Sequence, residues 1–163
     1  QFASNISSDY PPLSSSAKSS LEQADIVIYG PGTQYSSLYP TYFTDNLSQC
    51  LKGARAFKIV ITNIHNDNET PGFSSVDQIR QALFYLNQKG RYKYAESDLF
   101  DVMIANEPLN EDPRYMRPNR TELEQLNIKD IIIHNIEDGE TEGAHDPEVI
   151  ANLVINSYRT RWK

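Results

Sequence analysis

Only one cysteine, Cys50, occurs in the 163 residues, so the chain cannot close an internal disulfide and suits a reducing compartment. Long apolar runs are missing too. None approaches the roughly 20 residues that span a bilayer, and no secretory leader pattern opens the chain. No membrane partner is expected, and a cytoplasmic location is. Basic residues are in the minority, with 15 Lys and Arg against 22 Asp and Glu for a formal net charge of −7. General nucleic-acid binding needs a basic face, so nucleic acid is excluded as a partner. The three histidines, His65, His134 and His145, have no zinc-site spacing. No Gly-Lys-Ser/Thr follows a glycine turn, and Gly30-Pro31-Gly32 is not the dinucleotide fingerprint. No serine sits in a nucleophile elbow.

What is present is a run of short, strongly apolar segments in a chain that is 39% hydrophobic, a length and composition that fit one domain. Residues 1–20 are rich in Ser and Pro and read as a loop or flexible approach, with a short helix from Ala17 to Gln23. Strands are expected at Ile26–Tyr29, Phe57–Thr62, Asp101–Ala105 and Ile131–Ile133. Pro40 opens a helix that runs to about Lys52 and stops at Gly53. Val76, Ile79, Leu83 and Leu86 recur at helical spacing, with Ser75 and Gln78 as a capping box, Asp77 as a first-turn acid and Gly90 as the stop. Residues 107–120, with three prolines, form a loop, and a short helix covers Thr121–Leu126. Asp146-Pro147-Glu148 starts the last helix. Cys50, Tyr39, Tyr42 and Phe43 are read as core. Four Asn-x-Ser/Thr sequons, at Asn5, Asn46, Asn68 and Asn119, are read as chance matches. Strands alternate with helices at intervals that suit crossover connections, so the fold is α/β with a mostly parallel sheet and helices on its faces.

All strand carboxyl ends of a parallel sheet lie on one side, where ligands bind in open α/β folds. The loops after Tyr29, Thr62 and Ala105 should therefore converge. They offer Gly30, Pro31, Gly32, Thr33, Tyr35, Ser36 and Ser37, then Asn63, Glu69 and Thr70, then Asn106. This set of residues holds no Lys or Arg, so an anion would rest on backbone N–H groups, hydroxyls and a helix dipole. Taken alone, Gly30-Pro31-Gly32 is an ordinary strand-to-helix turn. The hydroxyl-rich continuation and Tyr35, on which a ring could stack, make it a candidate. Glu69 reads as a surface charge, a base or a Mg²⁺ ligand, and an acidic chain can recruit Mg²⁺ together with a phosphate. His65 is a further candidate for the loop site.

The ordered series Ala24-Asp25, Ile26–Tyr29, Gly30-Pro31-Gly32-Thr33-Gln34-Tyr35-Ser36-Ser37, Pro40, Asn63, Glu69-Thr70, Asp77, Asn106 and His145-Asp146 resembles the CofD-like family. That family holds 2-phospho-L-lactate transferases and YvcK-type gluconeogenesis factors, and has also been called UPF0052. The likeness runs from about Leu13 to Tyr158. Asn68 stands where the family has Gly before Glu-Thr, and Gln78 stands where it has His. The family's glycine-rich first strand and turn have no counterpart, and the chain starts at Gln1. Residues 21–163 therefore read as the C-terminal part of a CofD-like domain.

The resemblance implies a Rossmann-like three-layer α/β sandwich and a nucleotide or nucleotide-sugar ligand. It also implies Mg²⁺ in the transferase branch, and as partner the missing N-terminal half of the same protein. A homodimer is a further expectation. Three functions stay open at this point. The first is a YvcK-type nucleotide-binding regulator of carbon or cell-envelope metabolism. The second is a transferase of a phosphorus-containing group, moving a phospholactyl-type group from a nucleotide-activated donor to a deazaflavin alcohol. The third is a structural half-domain with no activity alone.

Overall fold

A computed structural model describes residues 10–161. The sequence expectations on residues 1–9, with the sequon at Asn5, and on Trp162 lie outside the described residues. Four strands, β1 (Ile26–Tyr29), β2 (Phe57–Ile61), β3 (Val102–Asn106) and β4 (Asp130–His134), pair in the order β1-β2-β3-β4. Every pairing is parallel, with Ile28 opposite Ile59, Val60 opposite Met103 and Ile104 opposite Ile132. β2 and β3 are buried along their whole length. This explains their unbroken apolar sequence, since a central parallel strand is covered on both faces.

The two faces are covered unequally. Val27, Tyr29, Val60, Met103, Ala105 and Ile131 pack against α2 (Tyr39–Tyr42), α3 (Leu47–Gly53), α4 (Ser75–Leu86), α5 (Glu96–Leu99) and α6 (Arg120–Leu123). Ile26, Phe57, Ile59, Val102, Ile104 and Ile132 pack against the last helix, α7 (Pro147–Arg161), through Val149, Ile150, Leu153, Val154 and Tyr158. Sequential strand order with right-handed crossovers puts all connecting helices on one side. α7 then closes the other side, so the architecture is the three-layer parallel sandwich that the alternation of elements predicts. Ile28, on the α7 face of edge strand β1, remains 50% exposed.

Several boundaries differ from the sequence expectation, each for a long-range reason. α1 (Ser15–Gln23) starts inside the Ser-rich approach because the Ser14 side chain accepts from the Ala17 N–H. The residues before it are tied down: Leu13 N–H donates to the Asp45 carbonyl and Asp45 N–H to the Pro11 carbonyl. That pairing diverts the chain after α2 and puts Asn46 at φ 65°, so the single helix expected from Pro40 to Lys52 is two. In α3, Leu47 and Leu51 take the buried positions and Cys50 is only half-buried beside α1, not in the core. Tyr39 and Tyr42 are core as expected, and burial pushes the Tyr42 hydroxyl up to about 12.

The α4 cap is Ser74 with Asp77, one residue before the expected pair. Ser74 Oγ accepts from Asp77 N–H, and Asp77 Oδ2 accepts from Ser74 N–H at 2.9 Å. This frees Gln78 to turn inward. α4 ends at Leu86, ahead of Gly90, because the Asn87 carboxamide brackets Tyr94 at both its N–H (2.9 Å) and its carbonyl (3.0 Å).

At the opposite edge from the strand carboxyl ends, Asp101 joins β2 to β3. It accepts from Lys58 N–H at 2.9 Å, and its carboxylate lies 3.8 Å from Lys58 Nζ and 2.5 Å from Lys129 Nζ. The Lys58 and Asp101 side chains are 9% and 8% exposed. Removing one partner strands a buried charge, so Asp101→Ala should lower stability by about 3–5 kcal/mol. A urea melt followed by circular dichroism checks this; a loss below about 1 kcal/mol would show that the pair is solvated.

Candidate functional site

β1 ends in Gly30-Pro31-Gly32, and Gly32 has φ 153°. Thr33 is extended, and Gln34–Leu38 form one wide π-type turn that runs into α2, with Pro40 in the first turn of α2. The turn is held from β2. Asn63, just past the end of that strand, accepts from the Gly32 N–H through Oδ1 and donates to the Gly32 carbonyl through Nδ2, each at 3.0 Å. A carboxamide carries an acceptor oxygen and a donor nitrogen side by side, which lets it do both. Gln34, 1% exposed, donates to the same carbonyl at 2.7 Å. The N–H of Asn63 in turn donates to Gln78 Oε1 at 2.9 Å. The turn after β1, the loop after β2 and the first turns of α4 therefore form one polar unit.

The polar loop 63–72 folds around Asp67. Its Oδ1 accepts from the N–H groups of Glu69 and Thr70 and from Thr70 Oγ1, at 2.8–3.1 Å. This is the local side-chain bonding that favours Asp in turns, and it aims Glu69 back at the first loop. Glu69 Oε2 accepts from Tyr35 N–H at 2.7 Å and from Ser36 N–H at 3.2 Å. Hydrogen bonds from Ser36, its side chain foremost, and from Tyr35 N–H hold the Glu69 carboxyl below its usual range. These free amides do bind an anion, and in this structure the anion is the chain's own carboxylate.

Above the strand ends lies a cleft of about 300 Å³ lined by Pro31, Gly32, Thr33, Asn63, Ile64, His65, Asp67, Gly143 and His145. His145 Nε2 donates to the Thr62 carbonyl at 3.0 Å, which fixes the loop before α7 against the end of β2. Hollows of about 450 and 500 Å³ lie by α1, α2 and α3 and share no residue with the cleft. Of the sequence candidates, Pro31, Gly32, Thr33, Asn63 and His65 line the cleft, and Gly30 is the residue before Pro31. Thr33 Oγ1 and Ser37 Oγ bond each other at 2.6 Å. Tyr35 is 40% exposed and meets Tyr39 and Tyr85 at right angles. Ser36 and Glu69 meet as described, and Thr70 is buried within its loop.

Asn106 is fully buried and does not line the cleft. Its Oδ1 accepts from Ile136 N–H at 3.0 Å and so ties β3 to the segment after β4. The sequence candidates omitted Asp67, Gly143, His145 and Gln34. His145-Asp146 before the last helix was a legible signal, and an Asp in a polar loop was a weak one. Gln34 and Gly143 carried none.

A family model described as 2-phospho-L-lactate transferase CofD matches residues 4–145. The chain belongs to the CofD family. It is 26% identical over 144 residues to a gluconeogenesis factor of Listeria innocua, a match covering 85% of this chain and 44% of that protein. A gluconeogenesis factor of Halalkalibacterium halodurans is 23% identical over 92 residues, covering 56% of this chain and 26% of the relative. The chain thus spans less than half the length of these curated relatives. Among solved structures, a UPF0052 family member from Bacillus halodurans superposes with a TM-score of 0.74 at 19% identity. The superposition covers 91% of this chain and 48% of that one. At that identity it shows the shared fold alone.

Two outcomes test the geometry. Asn63→Asp keeps the acceptor for Gly32 N–H but sets an oxygen against the Gly32 carbonyl, so stability should fall by about 1–3 kcal/mol, read from the urea midpoint. An unchanged midpoint would mean that the clasp is not formed. Glu69 has a depressed native pKa. Its tether is therefore complete above the ordinary carboxylate range and is lost as pH falls through the lowered value. The amide proton shifts of Tyr35 and Ser36 should follow one acidic titration that vanishes in Glu69→Gln.

Proposed function

We propose that the chain binds a nucleotide or nucleotide sugar at the strand-end cleft and acts as a regulator of the gluconeogenesis-factor type in carbon or cell-envelope metabolism. The observation that carries this reading is the Asn63 clasp. It fixes a turn with no side chain at Gly32 on the wall of the cleft, where backbone can approach a phosphate closely. Tyr35 offers an exposed ring next to that turn. Asp67 is the carboxylate lining the cleft, and Mg²⁺, which favours one or two carboxylates plus phosphate oxygens, would arrive with the ligand. The names of the relatives favour this reading. The description of the family model favours a second one, in which a phospholactyl-type group passes from a nucleotide-activated donor to a deazaflavin alcohol.

In either case we place the rest of the site beside β1. Among the described residues β1 pairs only with β2, and Ile28 on it is half exposed. The part of the family fold that this chain does not span, or a second copy of the chain, would pair there.

Thermal-shift titration with UDP-sugars, with GDP and with Mg²⁺, on the chain and on the full-length protein that contains it, tests the reading. Stabilisation by a nucleotide is expected, and failure of every one of them to stabilise either form overturns it. Turnover with a deazaflavin acceptor would select the transferase. Gly32→Val should abolish binding with the fold retained. A Cβ there meets only Leu38 Cδ1, at 3.9 Å, so the cost is about 1–3 kcal/mol of backbone strain.

A further inference from the structure

The sheet has two outer strands, and they differ. β1 is an uncharged run from Ile26 to Tyr29. β4 reads Asp130-Ile131-Ile132-Ile133-His134, with a carboxylate at one end and an imidazole at the other. Among the described residues β4 pairs with β3 alone. Its isoleucines stay partly exposed, whereas β2 and β3 are buried throughout. Ile131 and Ile133 pack on the α2–α6 face and Ile132 on the α7 face, so apolar surface remains on both sides of this edge. The strand is in unbroken register with β3. It holds no Pro and no Lys, the residues that blunt an open edge.

The peptide groups show what the edge presents. Glu107 N–H donates to the His134 carbonyl at 2.9 Å, so the peptide groups of His134 face β3. Peptide groups alternate in direction along a strand. Those of Ile132 therefore also face β3, and the N–H and C=O of Ile131 and Ile133 point outward. Among the described residues no backbone group outside the sheet bonds to them.

We propose that β4 is a homodimer interface, where two copies of this chain pair antiparallel across a two-fold axis at Ile132 and join their four-stranded sheets into one. Charge selects this occupant and this register. Centring the pair on Ile132 sets Asp130 of each copy opposite His134 of the other, so the strand is complementary to itself. The Asn135 carbonyl takes His134 Nδ1 at 2.7 Å, and Nε2 of this exposed ring is the atom offered to the partner. The backbone agrees with the charge. In this register Ile131 of one copy and Ile133 of the other form hydrogen-bonded pairs through their outward groups. Ile132 meets its own copy in a non-hydrogen-bonded pair, with Cα atoms about 4.5 Å apart. A slip of one residue sets outward peptide groups against inward ones. A slip of two, in either direction, sets both Asp130 and His134 opposite isoleucines. β1 lies at the opposite edge of the sheet and is left open by this pairing. The proposal does not depend on what the strand-end cleft binds.

Sedimentation velocity of the chain over a range of concentrations should show a monomer–dimer equilibrium. Ile133→Pro removes an outward N–H from each copy, and Pro is tolerated on an edge strand. The dimer should weaken by about tenfold or more. Circular dichroism melts report whether each variant keeps the fold. Cysteine cross-linking reads the register in a Cys50→Ser background. Ile132→Cys should link to its own copy under mild oxidation, because the expected Cα separation suits a disulfide. Asp130→Cys and His134→Cys should link to each other when mixed, a pairing that keeps the second Asp–His contact, and neither should link to itself. A monomer at every concentration, or a dimer undiminished in a folded Ile133→Pro, would overturn the proposal. So would a dimer in which the mixed Asp130→Cys and His134→Cys chains, both folded, stay unlinked. If Ile133→Pro or Ile132→Cys fails to fold, the mixed pair decides.

Discussion

The reciprocal pair of hydrogen bonds between the Asn63 carboxamide and the Gly32 peptide is the contact on which the arrangement of the strand-carboxyl edge depends. Parallel pairing of β1 and β2 brings the two loops to the same edge, but pairing stops at Tyr29 and Val60. Beyond that point nothing in a sheet ladder dictates where the chain goes. The carboxamide extends the connection by one step and uses the donor and acceptor of a single peptide. Gln34 and Gln78 then satisfy the remaining groups around it. Since the neighbouring partners are carboxamides as well, the unit is neutral and well bonded, and it stays rigid without a buried ion pair.

Charge in this region is handled by pairing carboxylates with backbone amides. Asp67 and Glu69 both accept N–H groups of exposed or half-buried turns, and Glu137 does so in a buried setting. The carboxylates around the cleft are thus engaged by local donors of the chain itself. A buried ion pair, Lys58 with Asp101, sits at the far edge of the sheet. Stability and site are thus separated along the strand axis, with the charged staple at the amino ends and the neutral clasp at the carboxyl ends.

Much of the fold was legible because it follows from local rules. The apolar runs at Ile26–Tyr29 and Phe57–Ile61 could only be buried strands, and the helical spacing of Val76, Ile79, Leu83 and Leu86 could only be an amphipathic helix. What misled was competition between equivalent local signals. Ser74-Ser75 offered two caps, and the choice fell to the one whose third following residue, Asp77, could return the bond. The break at Asn46 depends on Pro11 and Leu13, more than thirty residues away in sequence, and no local pattern announces it. At the site, Gly32, Thr33 and Asn63 were readable because turn glycines and polar strand ends are informative in themselves. Asn106 carried the same signal, yet its side chain is buried against the Ile136 N–H and does not line the cleft.

By itself the sequence determined the order of strands and helices, the parallel sense of the sheet and the edge at which a site could form. Each of these rests on periodicity, turn chemistry and the length of the connections, which act over a few neighbouring residues. Only the tertiary structure decided which polar groups meet. That Asn63 clasps Gly32, that Glu69 fills the amides of Tyr35 and Ser36, and that His65 faces Glu137 from 72 positions earlier in the chain are facts of distance in space. A side chain's chemistry says which bonds it can make, and only the packed fold decides which partner is within reach.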